Sequence, residues 1–112
     1  LQMIKILQKL FGLGTTADYA ELVKKGAIIL DVRSKGEFAG GHIKGSINIP
    51  VDVLKNSLTQ LKDKNKTIIT CCASGMRSAS AKSILKTHGY TDVHNGGGWN
   101  SLRNKIQNHY NG

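Results

Sequence analysis

Residues 67–86 read Thr67-Ile68-Ile69-Thr70-Cys71-Cys72-Ala73-Ser74-Gly75-Met76-Arg77-Ser78-Ala79-Ser80-Ala81-Lys82-Ser83-Ile84-Leu85-Lys86, and they carry a different periodicity on either side of a cysteine pair. The opening run, Thr67 to Cys71, is apolar and β-branched and too short for a helix, so it reads as a buried strand. From Met76 the residues are helix formers. A cysteine at a strand-to-helix junction is placed as a nucleophile, because the turn aims backbone N–H groups inward and the positive end of the helix dipole lies behind them. Strand alternation sends Cys71 and Cys72 to opposite faces, so only one can meet the turn. Gly75 permits the tight backbone of an anion cradle, and Arg77 adds a planar fork of donors suited to an oxyanion. Cys72 is therefore the expected nucleophile and Cys71 a small core residue. The loop that holds the reacting anion is expected to be Ala73, Ser74, Gly75, Met76, Arg77 and Ser78.

Before this stretch, Ala27-Ile28-Ile29-Leu30-Asp31-Val32 predicts a second strand buried on both faces, with Asp31 and Arg33 at its carboxyl end. A helical turn near Lys35 to Ala39 and the break at Gly40-Gly41-His42 lead to a short strand, Ser46 to Ile49, which Pro50 ends. Val51, Leu54, Leu58 and Leu61 recur at helical spacing and predict an amphipathic helix over Val51 to Lys62. After the cysteine strand, the helix from Met76 to His88 stops at Gly89. Thr91 to His94 then reads as the last strand, Asn95-Gly96-Gly97-Gly98 as a loop, and a closing helix buries Trp99, Leu102 and Ile106. Near the start, Thr15 or Thr16 is expected to cap a helix over Ala17 to Lys25, and Met3 to Phe11 predicts a short amphipathic helix. Strands alternating with helices predict an α/β fold with an open parallel sheet, right-handed crossovers and a ligand site outside the carboxyl ends of the strands.

The motif Cys72-x-x-Gly75-x-Arg77-Ser78 at a strand-to-helix turn resembles the active loop of the rhodanese family of sulfurtransferases. Asp31-Val32-Arg33-x-x-x-Glu37-Phe38 and Gly41-His42-Ile43-x-Gly45-Ser46-x-Asn48-Ile49-Pro50 resemble the other segment that marks that family, and the likeness runs from about Ala27 to Trp99. The resemblance implies a rhodanese-like open parallel sheet of four to five strands with helices on both faces, its short first strand either near Gly14 to Thr16 or missing. Residues 1–14 then form an N-terminal amphipathic segment before a rhodanese-like domain over 15–112. One departure is visible: members often separate the Gly-Gly pair from the tryptophan, whereas here Gly98 abuts Trp99. The implied activity moves a sulfane sulfur from a small anionic donor such as thiosulfate to Cys72, as a persulfide. A thiophile then takes it, cyanide as an artificial acceptor and a cellular thiol or sulfur-acceptor protein as the real one. The implied chemistry needs no metal and no organic cofactor.

Sixteen Lys+Arg against seven Asp+Glu give the 112 residues a net charge of +9, which favours small anionic substrates or an acidic carrier protein. The lysines are scattered and no aromatic-studded basic stripe appears, so nucleic acid is not the expected partner. The chain shows no long apolar span, so stable membrane insertion is not expected either. Two adjacent cysteines cannot build a disulfide framework, and thiols persist in the cytoplasm, the expected compartment; a removed leader would place the protein in the periplasm.

Asp31, Arg33 and His42 are candidates for supporting roles. Asp31 either orients the active loop or caps a turn, Arg33 and Glu37 have the four-residue spacing of an ion pair, and His42 is expected to pack and hydrogen-bond. His88, His94 and His109 lack ligand spacing, which argues against a metal. Competing classes are weighed by spacing. A cysteine-dependent phosphatase also frames an oxyanion with cysteine and arginine, but with one more residue between them than the four found here. A non-catalytic module on the same scaffold would not need Cys72, and a dithiol redox protein would separate its cysteines.

Overall fold

The structure, a computed structural model, describes residues 18–111, with side chains through Gln107. Four strands, β1 (Ile28–Asp31), β2 (Ile47–Asn48), β3 (Ile68–Cys72) and β4 (Val93–Gly98), form a parallel sheet in the order β2-β1-β3-β4. The helices are α1 (Tyr19–Lys24), α2 (Lys35–Ala39), α3 (Val51–Leu54), α4 (Met76–Thr87) and α5 (Trp99–Asn111). This is the α/β architecture expected from the alternation of strands and helices. The segments Met3 to Phe11 and Gly14 to Thr16 lie outside the described residues.

All five residues of β3 are buried, because each face of the sheet is covered. Ile68 and Cys72 join Leu30, Val32, Leu54 and Leu85 on one side; Ile69 and Cys71 join Ile29, Leu102 and Ile106 on the other. Pleat alternation thus sorts the adjacent cysteines into separate cores.

Three local expectations are corrected. The helix expected over Val51 to Lys62 ends at Leu54, and a 3-10 turn at Leu58–Gln60 follows. Ser57 is the reason: its hydroxyl donates to Val53 O at 2.8 Å while its N–H donates to Leu54 O at 2.9 Å, so local bonds replace the next helical turn. Leu54 and Leu61 are buried all the same. The helix expected over Ala17 to Lys25 spans Tyr19–Lys24, and its cap is Asp18, whose side chain accepts from Glu21 N at 3.1 Å; Thr15 and Thr16, the expected caps, lie outside the described residues.

The third correction concerns Asn95 to Gly98, which is strand and not loop. Thr70 pairs with Asn95 and Cys72 with Gly98, so Gly96 and Gly97 on β4 face Cys71 alone on β3. This bulge uses glycine in two ways. Gly97 has φ +78°, and a Cβ on Gly96 would lie 2.8 Å from both Ile69 Cγ2 and Thr70 O. Gly96→Ala is therefore expected to cost about 1–3 kcal/mol by overpacking. Gly36→Ala, with no atom within 4 Å of the added carbon, serves as the neutral comparison in urea unfolding, and equal stability of the two variants would contradict the packing account.

Candidate active site

Cys72 ends β3 with 1% of its surface exposed, and its Sγ accepts hydrogen bonds from Gly75 N at 2.9 Å and Ser78 N at 3.3 Å. Gly75 reaches that position with φ +111°, a left-handed conformation that costs glycine little and a side chain more. Because Gly75 is the N-cap of α4 and Ser78 lies in its first turn, the sulfur faces the positive end of a twelve-residue helix. Two backbone N–H groups at a helix start thus converge on the Cys72 sulfur. Met76, on the rim, is 82% exposed.

Cys71 is the opposite case. It pairs in register with Asp31, and burial followed by the Asp31 carboxylate pushes its thiol up to about 12. Such a thiol stays protonated and inert.

Asp31 and Arg33 form a buried ion pair: Arg33 Nη2 meets Asp31 Oδ2 at 2.7 Å and Arg33 Nε meets Oδ1 at 2.9 Å. Arg33 Nη2 also donates to Gly41 O at 2.7 Å, and the guanidinium stacks 4.5 Å from the Trp99 ring centre. The ion pair expected between Arg33 and Glu37 does not form. Arg33 Nη1 instead donates to the Glu37 backbone carbonyl, at 3.3 Å. The Glu37 carboxylate is folded back by a capping box, in which Ser34 Oγ accepts from Glu37 N and Glu37 Oε1 accepts from Ser34 N. There it takes both arms of Arg77, at 2.7 and 3.0 Å. Arg77, then Ser34, holds Glu37 down at about 2, so this pair stays ionised at any ordinary pH. His42 is exposed and turned to Phe38, stacked at 3.8 Å with its Nδ1 2.7 Å from Phe38 O.

Beside Arg77 opens a cleft of about 470 Å³, walled by Val32, Ser34, Lys35 and Pro50 to Val53. Among the described residues there is no cluster of metal-ligating side chains and no helix long and apolar enough to cross a membrane.

A family model for the rhodanese-like domain matches residues 15–105. The chain belongs to the rhodanese-like family. It is 41% identical over 70 residues to a thiosulfate sulfurtransferase, PspE, of Escherichia coli, an alignment covering 62% of this chain and 67% of that protein. It is 35% identical over 69 residues to a tRNA sulfurtransferase of Thermoplasma acidophilum, covering 62% of this chain and only 14% of the relative. A solved E. coli rhodanese with anions superposes with a TM-score of 0.63 at 38% identity, covering 67% of this chain and 89% of that one.

Two partners of the rhodanese-like loop escape the sequence reading. Glu37 as partner of Arg77 was signalled by the Ser34-x-x-Glu37 capping box, which aims the carboxylate, but nothing local names an arginine forty residues away. Asn95, whose Oδ1 accepts from Ser78 Oγ at 2.6 Å, looked like a turn residue beside glycines.

The burial of Cys71 can be tested by titration. An unfolded Cys71 ionises from its ordinary 9.0, whereas the folded one holds its proton to about 12, so the folded state binds the extra proton and stability falls as pH rises between those values. Cys71→Ala should make that alkaline decline shallower in denaturant titrations; an unchanged slope would show that the buried thiol is not the cause.

Proposed function

We propose that this rhodanese-like domain is a sulfurtransferase that carries sulfane sulfur on Cys72. The observation that carries the reading is the asymmetry of the cysteine pair: Cys72 Sγ receives two N–H donors at a helix start, and Cys71 is held protonated beside Asp31. In the first step the Cys72 thiolate attacks the outer sulfur of thiosulfate, a new S–S bond forms, and sulfite leaves with the electron pair of the old one. The negative charge now rests on the outer sulfur of the persulfide, for which the loop N–H groups of Ala73 to Ser78 are the proposed donors, Gly75 and Ser78 already reaching the cysteine sulfur. A thiophilic acceptor then takes that sulfur and restores the thiolate. Burial of Cys72 protects the persulfide between the two steps.

Arg77 is assigned to the donor's sulfonate. Since Glu37 already holds both arms of its fork, donor and carboxylate compete for one guanidinium. Arg77→Ala should raise the KM for thiosulfate about tenfold, by loss of a charge-assisted contact, and Glu37→Gln should lower it. If both variants raise KM alike, Arg77 needs Glu37 for its placement and the competition account is wrong.

Intact mass after incubation with thiosulfate should show one added sulfur on Cys72, removed by cyanide. Cys72→Ser should lose it and Cys71→Ala keep it; turnover by Cys72→Ser would sink the assignment. The short loop from Cys72 to Arg77 suits a sulfur atom better than a tetrahedral phosphoryl group, so an activated aryl phosphate should be a poor substrate. Efficient phosphatase activity without sulfur transfer would reverse the reading.

A further inference from the structure

Of the two donors to Cys72 Sγ, the one from Ser78 depends on how the first turn of α4 is pinned. Ser78 is fully buried, and its hydroxyl lies 2.6 Å from Asn95 Oδ1 and 2.7 Å from Thr70 Oγ1. Asn95 Oδ1 also accepts from Gly97 N, at 2.9 Å. A backbone N–H can only donate, so the carboxamide atom facing Gly97 is the oxygen, and its orientation is fixed by chemistry. That oxygen can only accept, so the Ser78 hydroxyl hydrogen is committed to it. The hydrogen in the 2.7 Å contact between the Thr70 and Ser78 hydroxyls is then Thr70's, which also has the Ser78 and His94 carbonyls in reach, at 3.0 and 3.3 Å. The hydroxyl chain runs one way, from Thr70 through Ser78 to Asn95.

The same oxygen joins two walls of the reactive loop. Through Ser78 it holds the start of α4, and through Gly97 it holds the β4 bulge. The segment Ala73–Gly75 is wedged against that bulge: a Cβ on Gly98 would stand 3.0 Å from Ala73 O, and one on Gly75 3.6 Å from Gly97 Cα. On the other side Tyr19 OH donates to Asn95 O at 3.1 Å, which anchors the backbone and leaves the carboxamide free for this task.

We infer that Asn95 is a positioning residue for sulfur transfer: its carboxamide oxygen clamps α4 to the β4 bulge and so sets the reach of the Ser78 N–H to the Cys72 sulfur. It touches neither the sulfur nor the donor. The kinetic side of this inference rests on the sulfurtransferase reading; the placement of the thiolate does not.

The test compares Asn95→Ala, Ser78→Ala, their double variant and Tyr19→Phe in the full chain. Two quantities are read: thiosulfate turnover, with kcat and KM separated, and the rate of iodoacetamide alkylation at Cys72 near neutral pH, located by peptide mass. Asn95→Ala should lower kcat about tenfold with little change in KM, since a misplaced donor weakens charge stabilisation more than binding. Alkylation should slow several-fold. Tyr19→Phe, which deletes the other hydrogen bond at the same residue, should alter neither. The double variant should be no worse than the stronger single one, because both break one clamp. Should Asn95→Ala fail to fold, Ser78→Ala opens the clamp from its other end and carries the same expectation. Unchanged alkylation and kcat in a folded variant, equal losses in Tyr19→Phe, or additive losses in the double variant would overturn the inference. If the wild type forms no persulfide, the sulfurtransferase reading fails, and the alkylation rates alone decide the role of Asn95.

Discussion

The buried ion pair between Asp31 and Arg33 is the constraint on which the carboxyl edge of the sheet depends. Two charges leave water here, a cost of several kcal/mol per ion that is recovered only if every remaining donor and acceptor is used. The surroundings meet that condition. Asp31 accepts from the Arg33 backbone N–H as well as its guanidinium, and Arg33 spends its other arms on the carbonyls of Gly41 and Glu37. The backbone around the pair is equally engaged: Asn48 donates to the carbonyls of both residues, and Ile49 N donates to Asp31 O. One pair therefore ties β1 to β2, to the turn at Gly41 and, through the stacked ring of Trp99, to the start of α5.

Its influence on the cysteines follows from the sheet register. Asp31 pairs with Cys71 across β1 and β3, so the neighbouring thiol sits in an apolar core next to a fixed negative charge. The next residue, Cys72, turns to the other face and meets helix-terminal N–H groups. One peptide unit separates a thiol whose charged form is opposed from one that receives two backbone N–H donors. Pleat alternation does the selecting, and the electrostatics of each face set the outcome.

The parts legible in the sequence are those whose cause is local. The strand from Thr67, the Cys72 to Ser78 turn and the helix from Met76 are each specified by neighbours along the chain, and the structure places β3 and α4 within one residue of those bounds. Periodicity misled at Val51 to Lys62, where the apolar residues keep their spacing and their burial but Ser57 diverts the backbone hydrogen bonds that a helix would need. Glycines misled at Gly96 to Gly98. A glycine run is punctuation in a sequence, but here the missing side chains let β4 approach Ile69 and Ala73, a reason that exists only once the strands are adjacent. Arg33 and Glu37 had the right spacing for each other, but each found another partner: Asp31, two residues away, for Arg33, and Arg77, forty residues away, for Glu37.

These non-local contacts bear on the same requirement. A carrier of sulfane sulfur must hold an anion that moves outward by one atom when a thiolate becomes a persulfide, while the surrounding donors stay in place, since electrostatic stabilisation is strongest when donors need no reorganisation. In the proposed role, the loop is supported from three directions. Its start is fixed by β3 in the centre of the sheet, its end by α4 through Ser78, and its back by the glycine bulge of β4, which sits too close to Ala73 for a side chain. Gly75 then takes the left-handed turn that closes the short ring between those supports. A loop held this way can be short and still keep its donors in place, because each wall is set by packing outside the loop.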